Sequence, residues 1–538
     1  MFILFNIIWF FALSKYVLFW LYLWQLKEYH LGRFFDHFST AKGQRLIFNP
    51  LLMFKVAILF LFFTTVPFSI LFTALFITYV VESLVFGRAI MLKTAKRPVK
   101  TAKSLVLMLV SFGLIILFLA WVSLGQKSNS LALLSVILFD ILLPLIISLT
   151  VLLFQPFTVL LRNSILRKAK NKVQSLASSD NNLTVIGITG SYGKTTTKEF
   201  LSTILSKKFN VLKTKEHQNS EIGIAKCILE NLNKDNQIFI VEMGSYKKGG
   251  IKLLCDMVKP KIGIVTGVNE QHLSLFGSIE NLLSAEGGRE LAEALPPDGF
   301  LVLNGENQYC LDLYRVSDTE KKVYSIDKGN ADSNIWTEDV QAAENSISFV
   351  ARNKKGEMAH FTVGVLGKQN VQNLLAAILV AQALGMSMEE IALATKDIKE
   401  VQAGMILKPG KHGINIIDSS YSANPDGVIA DIDYLSVFPK KRVVVMPCLI
   451  ELGKKSAEAH KKIGEKIGKT CNLAIVTTQE RFNDIKIGAI EFGMKEKDII
   501  FCENPDDIYS IITLFCEKGD AVLLEGRVPG KLISLLSE

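Results

Sequence analysis

No cysteine occurs before residue 227, and the seven that follow (227, 255, 310, 448, 471, 502 and 516) include no CxxC pair. An odd count without paired spacing excludes a disulfide frame and a zinc ribbon, and fits reduced thiols in a reducing compartment. Charge is as unevenly spread: charged residues make up 21% of the chain, yet before residue 161 they are sparse among Phe, Leu and Ile. With a mean hydropathy of +0.32, such a chain is divided between two solvents. The first apolar segment lacks the basic leading region and small-residue cleavage site of a secretory signal and is too long for one, so it is expected to stay in the mature protein. No half-length pattern with broken helices repeats, which gives no support to a transporter.

At 538 residues the chain should hold about two to four domains. Four apolar segments are long enough to cross a bilayer: residues 2–24, 56–81, 105–124 and 131 to about 161, each near or above the roughly 20 residues a helical span needs. The formal charge of +9 gathers at the junctions, chiefly in "GRAIMLKTAKRPVKTAK" (87–103) and "RNSILRKAKNK" (162–172). This pattern points to membrane orientation rather than nucleic acid, and it places both clusters in the cytoplasm. Four spans put both termini inside. If Pro67 marks a turn rather than a kink, the second segment becomes two spans and residues 25–55, also net positive, face inward. Either arrangement leaves the C-terminal part cytoplasmic. Asp140 within the last segment reads either as a functional intramembrane acid or as a carboxylate packed against a polar partner or a helix end.

The stretch "VIGITGSYGKTTTKEF" (185–200) joins a β-branched run, a glycine turn and a helical apolar spacing. Strand, glycine loop and helix are the context of a phosphate-binding loop. Gly190, Ser191, Tyr192 and Gly193 form its turn, Lys194 is placed to neutralise β- and γ-phosphates, and the hydroxyl of Thr195, followed by Thr196, can ligate Mg²⁺. The spacing is GxxGKT, shorter than GxxxxGK[ST], and no LSGGQ-like signature follows, which disfavours an ABC-type ATPase.

"TGSYGKTTTKE" resembles the loop of the Mur ligases, ATP-dependent enzymes that add amino acids to the peptidoglycan precursor, and further matches follow in order. "KTKEHQNSEIG" (213–223) is similar to the segment after that family's first helix, matching at Asn219 and Gly223. "IFIVEMGSYKKGGI" (238–251) resembles its strand ending in a glutamate, here Glu242, and "IGIVTGVNEQHLSLFGSIE" (262–280) carries its histidine, here His272. "LGKQNVQNLLAA" (366–377) matches the segment whose asparagine, here Asn373, lies near adenine. "IIDSSYSANPDG" (416–427, with Asp418), "VVMPCLIELG" (444–453) with His460, and "LLEGRVP" (523–529) most resemble the branch that adds the D-alanyl-D-alanine dipeptide. The resemblance implies Mg²⁺ on Thr195, Glu242 and His272, and catalytic roles for Lys194, Glu242, His272 and Glu286. Tyr421, Asn424 and Pro425 read either as part of that site or as a plain "NPDG" turn. Glu451 and His460 read as helix-surface residues without direct chemistry.

Departures accompany the matches. The family has a carbamylated lysine about 14 residues after its histidine; here Glu286 holds that place, and no lysine occurs between Lys261 and Lys321. A glutamate keeps the negative charge without carbon dioxide on a shorter arm, so a second Mg²⁺ would shift, bind through water or be lost; the glycine pair that follows would let the backbone close in. Gln369 stands where the branch has histidine, Ser419 replaces the second acid of its "DDSYNANP", and an arginine near Gly404 is missing. The branch also begins with a soluble domain that grips the UDP end of its nucleotide sugar, and here the apolar segments stand in that place.

The expected architecture is an α-helical transmembrane bundle (1–165, four or five helices), then a P-loop α/β central domain with a mostly parallel sheet (180–403), then a Rossmann-like domain (404–538). What the resemblance implies is an ATP- and Mg²⁺-dependent amide ligase. Its partners would be a nucleotide-sugar peptide or lipid-linked acceptor, a D-amino-acid dipeptide and membrane lipid, with no nucleic acid. Two other readings stand beside it: a related ligase acting on a lipid-linked or polymeric acid, and a catalytically dead, nucleotide-sensing membrane scaffold.

Overall fold

The computed structural model describes every residue except 1, 28, 39–40, 126–127, 178–182, 216–217, 271, 328–332, 421–423, 451 and 538. Tyr421 and Glu451 therefore lie outside the described residues. The chain forms two compact units, Met1–Asn163 and Ser164–Glu538.

In the first unit, five helices among the described residues are long and apolar enough to cross a membrane. The apolar stretch 56–81 is two helices, Pro50–Leu61 and Phe68–Met91, parted at 62–67. Pro67 immediately precedes the second, where its fixed φ and missing N–H suit a helix start and would break a helix interior. Within the last apolar stretch the helix Asn129–Leu153 ends at Phe154, and a second helix, Gln155–Ala177, carries the apolar residues to 161 before turning polar.

The bundle is not uniformly apolar inside. Lys55, Glu82 and Asp140, from three different helices, are 2%, 1% and 7% exposed. The Lys55 ammonium lies 2.8 Å from Glu82 Oε2 and 2.7 Å from Asp140 Oδ2. Tyr16 donates to Glu82 Oε1 at 2.6 Å, Tyr79 donates to Asp140 Oδ2 at 3.1 Å, and both rings flank the ammonium at 5.2 and 4.9 Å. Of the two sequence readings of Asp140, the structure supplies the polar partner.

The second unit is built on two sheets. The larger has the order β2-β3-β1-β4-β5-β6-β7-β8-β9, with β1 Thr184–Thr189, β2 Val211–Lys213, β3 Ile238–Glu242, β4 Ile262–Val265, β5 Phe300–Asn304, β6 Glu320–Tyr324, β7 Ile335–Ala342, β8 Ile347–Asn353 and β9 Met358–Val363. Strands β1 to β6 pair in parallel and β7 to β9 form an antiparallel ribbon. Strands β1, β3 and β4 are buried almost throughout, as strands covered on both faces must be. One face packs on the helices Lys194–Leu205 and Gln369–Ala383, whose Phe200, Leu201, Leu374 and Ile378 are wholly buried.

The smaller sheet has the order β10-β11-β15-β12-β13-β14, from β10 Ile406–Pro409, β11 Asn415–Ser419, β12 Arg442–Met446, β13 Leu473–Val476, β14 Ile499–Phe501 and β15 Ala521–Glu525. All pairs are parallel except the edge pair β10 and β11. On one face the helices Ser456–Thr470 and Phe482–Glu491 meet backbone to backbone. A Cβ on Gly464 would lie 2.2 Å from Ile485 O, one on Gly468 2.3 Å from Ala489 O, and one on Gly488 2.2 Å from Lys461 O.

Removing one member of a buried charge cluster leaves the others uncompensated, at a cost of roughly 3–5 kcal/mol. Lys55→Leu is therefore expected to lower the thermal unfolding temperature in detergent clearly, and the triple change Lys55→Leu, Glu82→Gln, Asp140→Asn to restore much of it. Equal melting of Lys55→Leu and the wild type would show that the cluster contributes nothing.

Candidate functional site

Strand β1 is flanked by β3 and β4, so the chain leaves it toward opposite sides of the sheet and opens a crevice at the carboxyl ends. Into that crevice runs the loop 190–193. Gly190 has φ 134° and Gly193 φ 74°, values disfavoured for side chains. A Cβ at Gly190 would lie 2.4 Å from Thr266 Oγ1, and one at Gly193 2.5 Å from Asn373 Oδ1. The loop is thus pressed between the segment after β4 and the Gln369–Ala383 helix, a cradle that only glycine fits. Behind it the Lys194–Leu205 helix begins, with Lys194, Thr195 and Thr196 in its first turn and its free N–H groups facing the loop. Lys194 Nζ folds back onto the carbonyl of Gly190. Tyr192 packs its ring over Gly267, accepts from Asn307 Nδ2 at 3.4 Å, and is held neutral by burial and the nearby Asp426 charge.

Two carboxylates stand on either side of this loop. Glu242, the last residue of β3, accepts from Thr195 Oγ1 at 3.1 Å, Asn219 Nδ2 at 3.1 Å and Lys198 Nζ at 3.0 Å. Burial opposes its ionisation, but the Lys198 and Lys194 ammoniums outweigh burial and hold the carboxyl below the usual range. Glu286 accepts from Ser191 Oγ at 2.9 Å and lies 2.9 Å from His272 Nδ1. Burial again opposes ionisation, and the His272 bond, the Lys194 charge and Ser191 overcome it. Ser191 also receives the N–H of Asn269 at 3.1 Å, which ties the loop to the segment after β4.

Among the described residues no three His, Cys, Asp or Glu side chains gather as for a metal. The oxygen donors Thr195 and Glu242 fit a hard divalent cation that keeps several waters. His272, which the resemblance implied as a third ligand of that set, is held through Nδ1 by Glu286, and its ring lies edge to face with that of Tyr246, centroids 5.5 Å apart. Asn373 sits beside the loop and accepts from Thr197 Oγ1 at 3.2 Å.

The last domain contributes less directly. Asp418 bonds Lys408 at 2.6 Å and Ser420 N at 3.1 Å, both within that domain, and these partners outweigh burial to hold its carboxyl low. Asn424 caps the Pro425–Tyr434 helix and, with Asp426, accepts from Asn269 Nδ2 at 3.2 and 2.9 Å, so the "NPDG" turn also reaches the nucleotide loop's neighbour. His460 is not a helix-surface residue. It is fully buried, Nε2 accepting from Leu449 N at 2.8 Å and Nδ1 facing Ser456 O at 2.6 Å, which fixes a neutral Nδ1–H ring of structural use; burial lowers its basicity further. Sequence reading missed Lys198 and Asn269. Lys198 lies one helical turn after Lys194 on the same face, a signal that was available; Asn269 gave none.

Fold and site together define a P-loop α/β nucleotide-binding protein with an appended Rossmann-like domain. Residues 188–381 match the Mur ligase middle domain, and residues 405–528 match the Mur ligase, glutamate ligase domain. The chain belongs to the Mur ligase family. It is 31% identical over 294 residues to a UDP-N-acetylmuramoyl-tripeptide--D-alanyl-D-alanine ligase of Synechocystis, covering 53% of this chain and 59% of that one. The protein of that name from Bacillus subtilis is 28% identical, covering 66% and 75%. The chain thus spans about six-tenths of the first relative and three-quarters of the second. Among solved structures, MurF from Acinetobacter baumannii superposes with a TM-score of 0.61 at 23% identity (69% and 80% covered), and MurF ligase from Thermotoga maritima, in complex with ADP, with 0.59 at 23% (70% and 83%). These superpositions show the fold.

Because the Glu242 and Glu286 carboxyls are both depressed on folding, each contributes stability present above the unfolded value of about 4.3 and lost as pH falls through its lower folded value. Glu286→Gln should flatten the acid limb of hydrogen-exchange protection in β1 and β4. Glu242→Gln should flatten it in β1 and β3 from a lower starting point, because Lys198 is left without its counter-charge. An acid limb unchanged in both variants would contradict this electrostatic picture.

Proposed function

We propose that this chain is a membrane-anchored, ATP-dependent amide ligase that joins D-alanyl-D-alanine to UDP-MurNAc-tripeptide. The observation that carries the reading is the pairing of Lys194, Thr195 and Glu242 on one side of the loop with Ser191, Glu286 and His272 on the other. In this scheme the acceptor carboxylate attacks the γ-phosphorus of ATP, giving an acyl phosphate and ADP; the amine then attacks the acyl carbon, and phosphate leaves. The intermediate is needed because a carboxylate has no leaving group for an amine to displace. Lys194 and the loop N–H groups hold the phosphates in line, which is most of what a phosphoryl transfer asks of a protein. Mg²⁺ on Thr195 and Glu242 would neutralise charge on the transferred group. Glu286 orients His272 through Nδ1 and leaves Nε2 for the ligand side.

We assign the ligase unit to the cytoplasm, with five spans and the basic clusters 87–103 and 162–172 inside. A second reading, with a lipid-linked acceptor, draws on the apolar unit standing where the branch carries its UDP-gripping domain. The dead-scaffold reading is disfavoured by the intact contacts around Lys194, Thr195, Glu242 and His272.

The deciding assay is phosphate release by the detergent-solubilised chain with ATP, Mg²⁺, dipeptide and UDP-MurNAc-tripeptide. We expect dipeptide-dependent release that disappears in Lys194→Ala; silence while an ATP analogue still binds would sink this acceptor and favour a lipid-linked one. Since Glu286 already supplies a carboxylate, the rate should not change in bicarbonate-free buffer, and Glu286→Gln should lose about 10²-fold or more. Stimulation by bicarbonate would argue against that role for Glu286.

A further inference from the structure

Two positions at which the sequence departs from its family converge on one side chain. Gln369 Nε2 donates to Asp431 Oδ1 at 2.7 Å, and Ser419 Oγ donates to Asp431 Oδ2 at 2.6 Å. Asp431 lies on the Pro425–Tyr434 helix, 8% exposed, with the 1% exposed Glu525 at the end of β15 beside it. In the register of the sheet Glu525 is opposite Ser419. Neither oxygen of Glu525 receives a formed hydrogen bond. Among the described residues the groups bearing on the pair are Ser419 from β11, Gln369 from the central domain, and Glu525 with the N–H of Gly526 from β15, and none of these is a cation.

Two buried carboxyls in contact without a cation cannot both be ionised. A proton on Glu525 also explains its empty acceptor sites, because the group then acts as a donor, and the fully engaged carboxylate of Asp431 is its neighbour. We propose that Asp431 and Glu525 are positioning residues that share one proton, Glu525 donating it to Asp431, and so latch the Pro425–Tyr434 helix to the central domain. The same helix touches the nucleotide loop by two routes. Its N-terminus meets Asn269, which bonds Ser191. Its middle meets Gln369 at the start of the helix whose Asn373 bonds Thr197. The latch therefore sets how the amine-side domain stands against the nucleotide loop.

Burial pushes both carboxyls up, Glu525 the further because the Asp431 charge adds to it. Groups raised on folding stabilise below their folded values and lose that stabilisation as pH rises through them. The latch should thus be closed in mild acid and loosen toward alkaline pH.

The test is hydrogen exchange of the full chain in detergent with a non-hydrolysable ATP analogue, corrected for the intrinsic pH dependence of exchange. In the wild type, protection of residues 425–434 should fall about tenfold between roughly pH 6 and pH 9, the size of a one-unit shift. Glu525→Gln, whose amide always donates, should keep protection high and remove the pH dependence. Glu525→Leu should show low protection throughout. Wild-type protection flat with pH, or a Glu525→Gln variant that keeps the wild-type dependence, would overturn the latch; should Glu525→Gln fail to fold, the wild-type profile alone decides. A kinetic arm rests on the ligase reading: KM for the amine should rise with pH in the wild type more than in Glu525→Gln, with kcat moving less. Failure of turnover with every amine would count against that reading and leave the exchange result standing.

Discussion

The ammonium of Lys198 and the carboxylate of Glu242 meet at 3.0 Å, with 0% and 4% of their surfaces exposed. Neither charge can be left alone at that depth, so the helix behind the phosphate loop is bound to the end of β3 at one fixed register. Thr195 and Asn219 are then placed around the same carboxylate, and the Thr214 hydroxyl fixes its backbone by receiving the Glu242 N–H at 3.1 Å. The loop inherits this rigidity at one end, and at the other it is held by Thr266 and Asn269 from the segment after β4. Donors set before a ligand arrives need no reorganisation when charge develops, which is where such sites gain most.

Buried charge is handled differently in the two units. In the water-facing unit each buried acid at the site has its own partner, Lys198 for Glu242 and His272 for Glu286. In the apolar unit one lysine serves two carboxylates, and two tyrosine hydroxyls complete the set. Four helices contribute to that centre, so it fixes their mutual rotation in a setting where apolar contacts alone discriminate poorly between packings.

Local chemistry was readable in the sequence, and long-range chemistry was not. The strand, glycine turn and helix of residues 184–205 announce themselves through periodicity and turn composition, and His272 was marked by the resemblance alone. The break at 62–67 was visible only as a proline, because hydropathy runs on across it. His460 looked like a surface residue because the alternation around it is charged; its burial depends on a backbone N–H eleven residues away. The convergence of Gln369, Ser419 and Asp431 joins segments 62 and 12 residues apart, and no periodicity encodes such a meeting. The set Thr195, Glu242 and His272 was implied as one group; the structure adds what the sequence did not show, that Glu286 holds the Nδ1 side of His272.

The glycine-lined contact between the helices Ser456–Thr470 and Phe482–Glu491 leaves no side-chain cushion between two backbones. Such a surface cannot shear, since a slide of even part of a residue drives Cα atoms into carbonyl oxygens. These two helices must then move, if they move, as one block, whereas the connection before β10 has no such constraint: there Gly404 sits at φ 82° with open space where a Cβ would be.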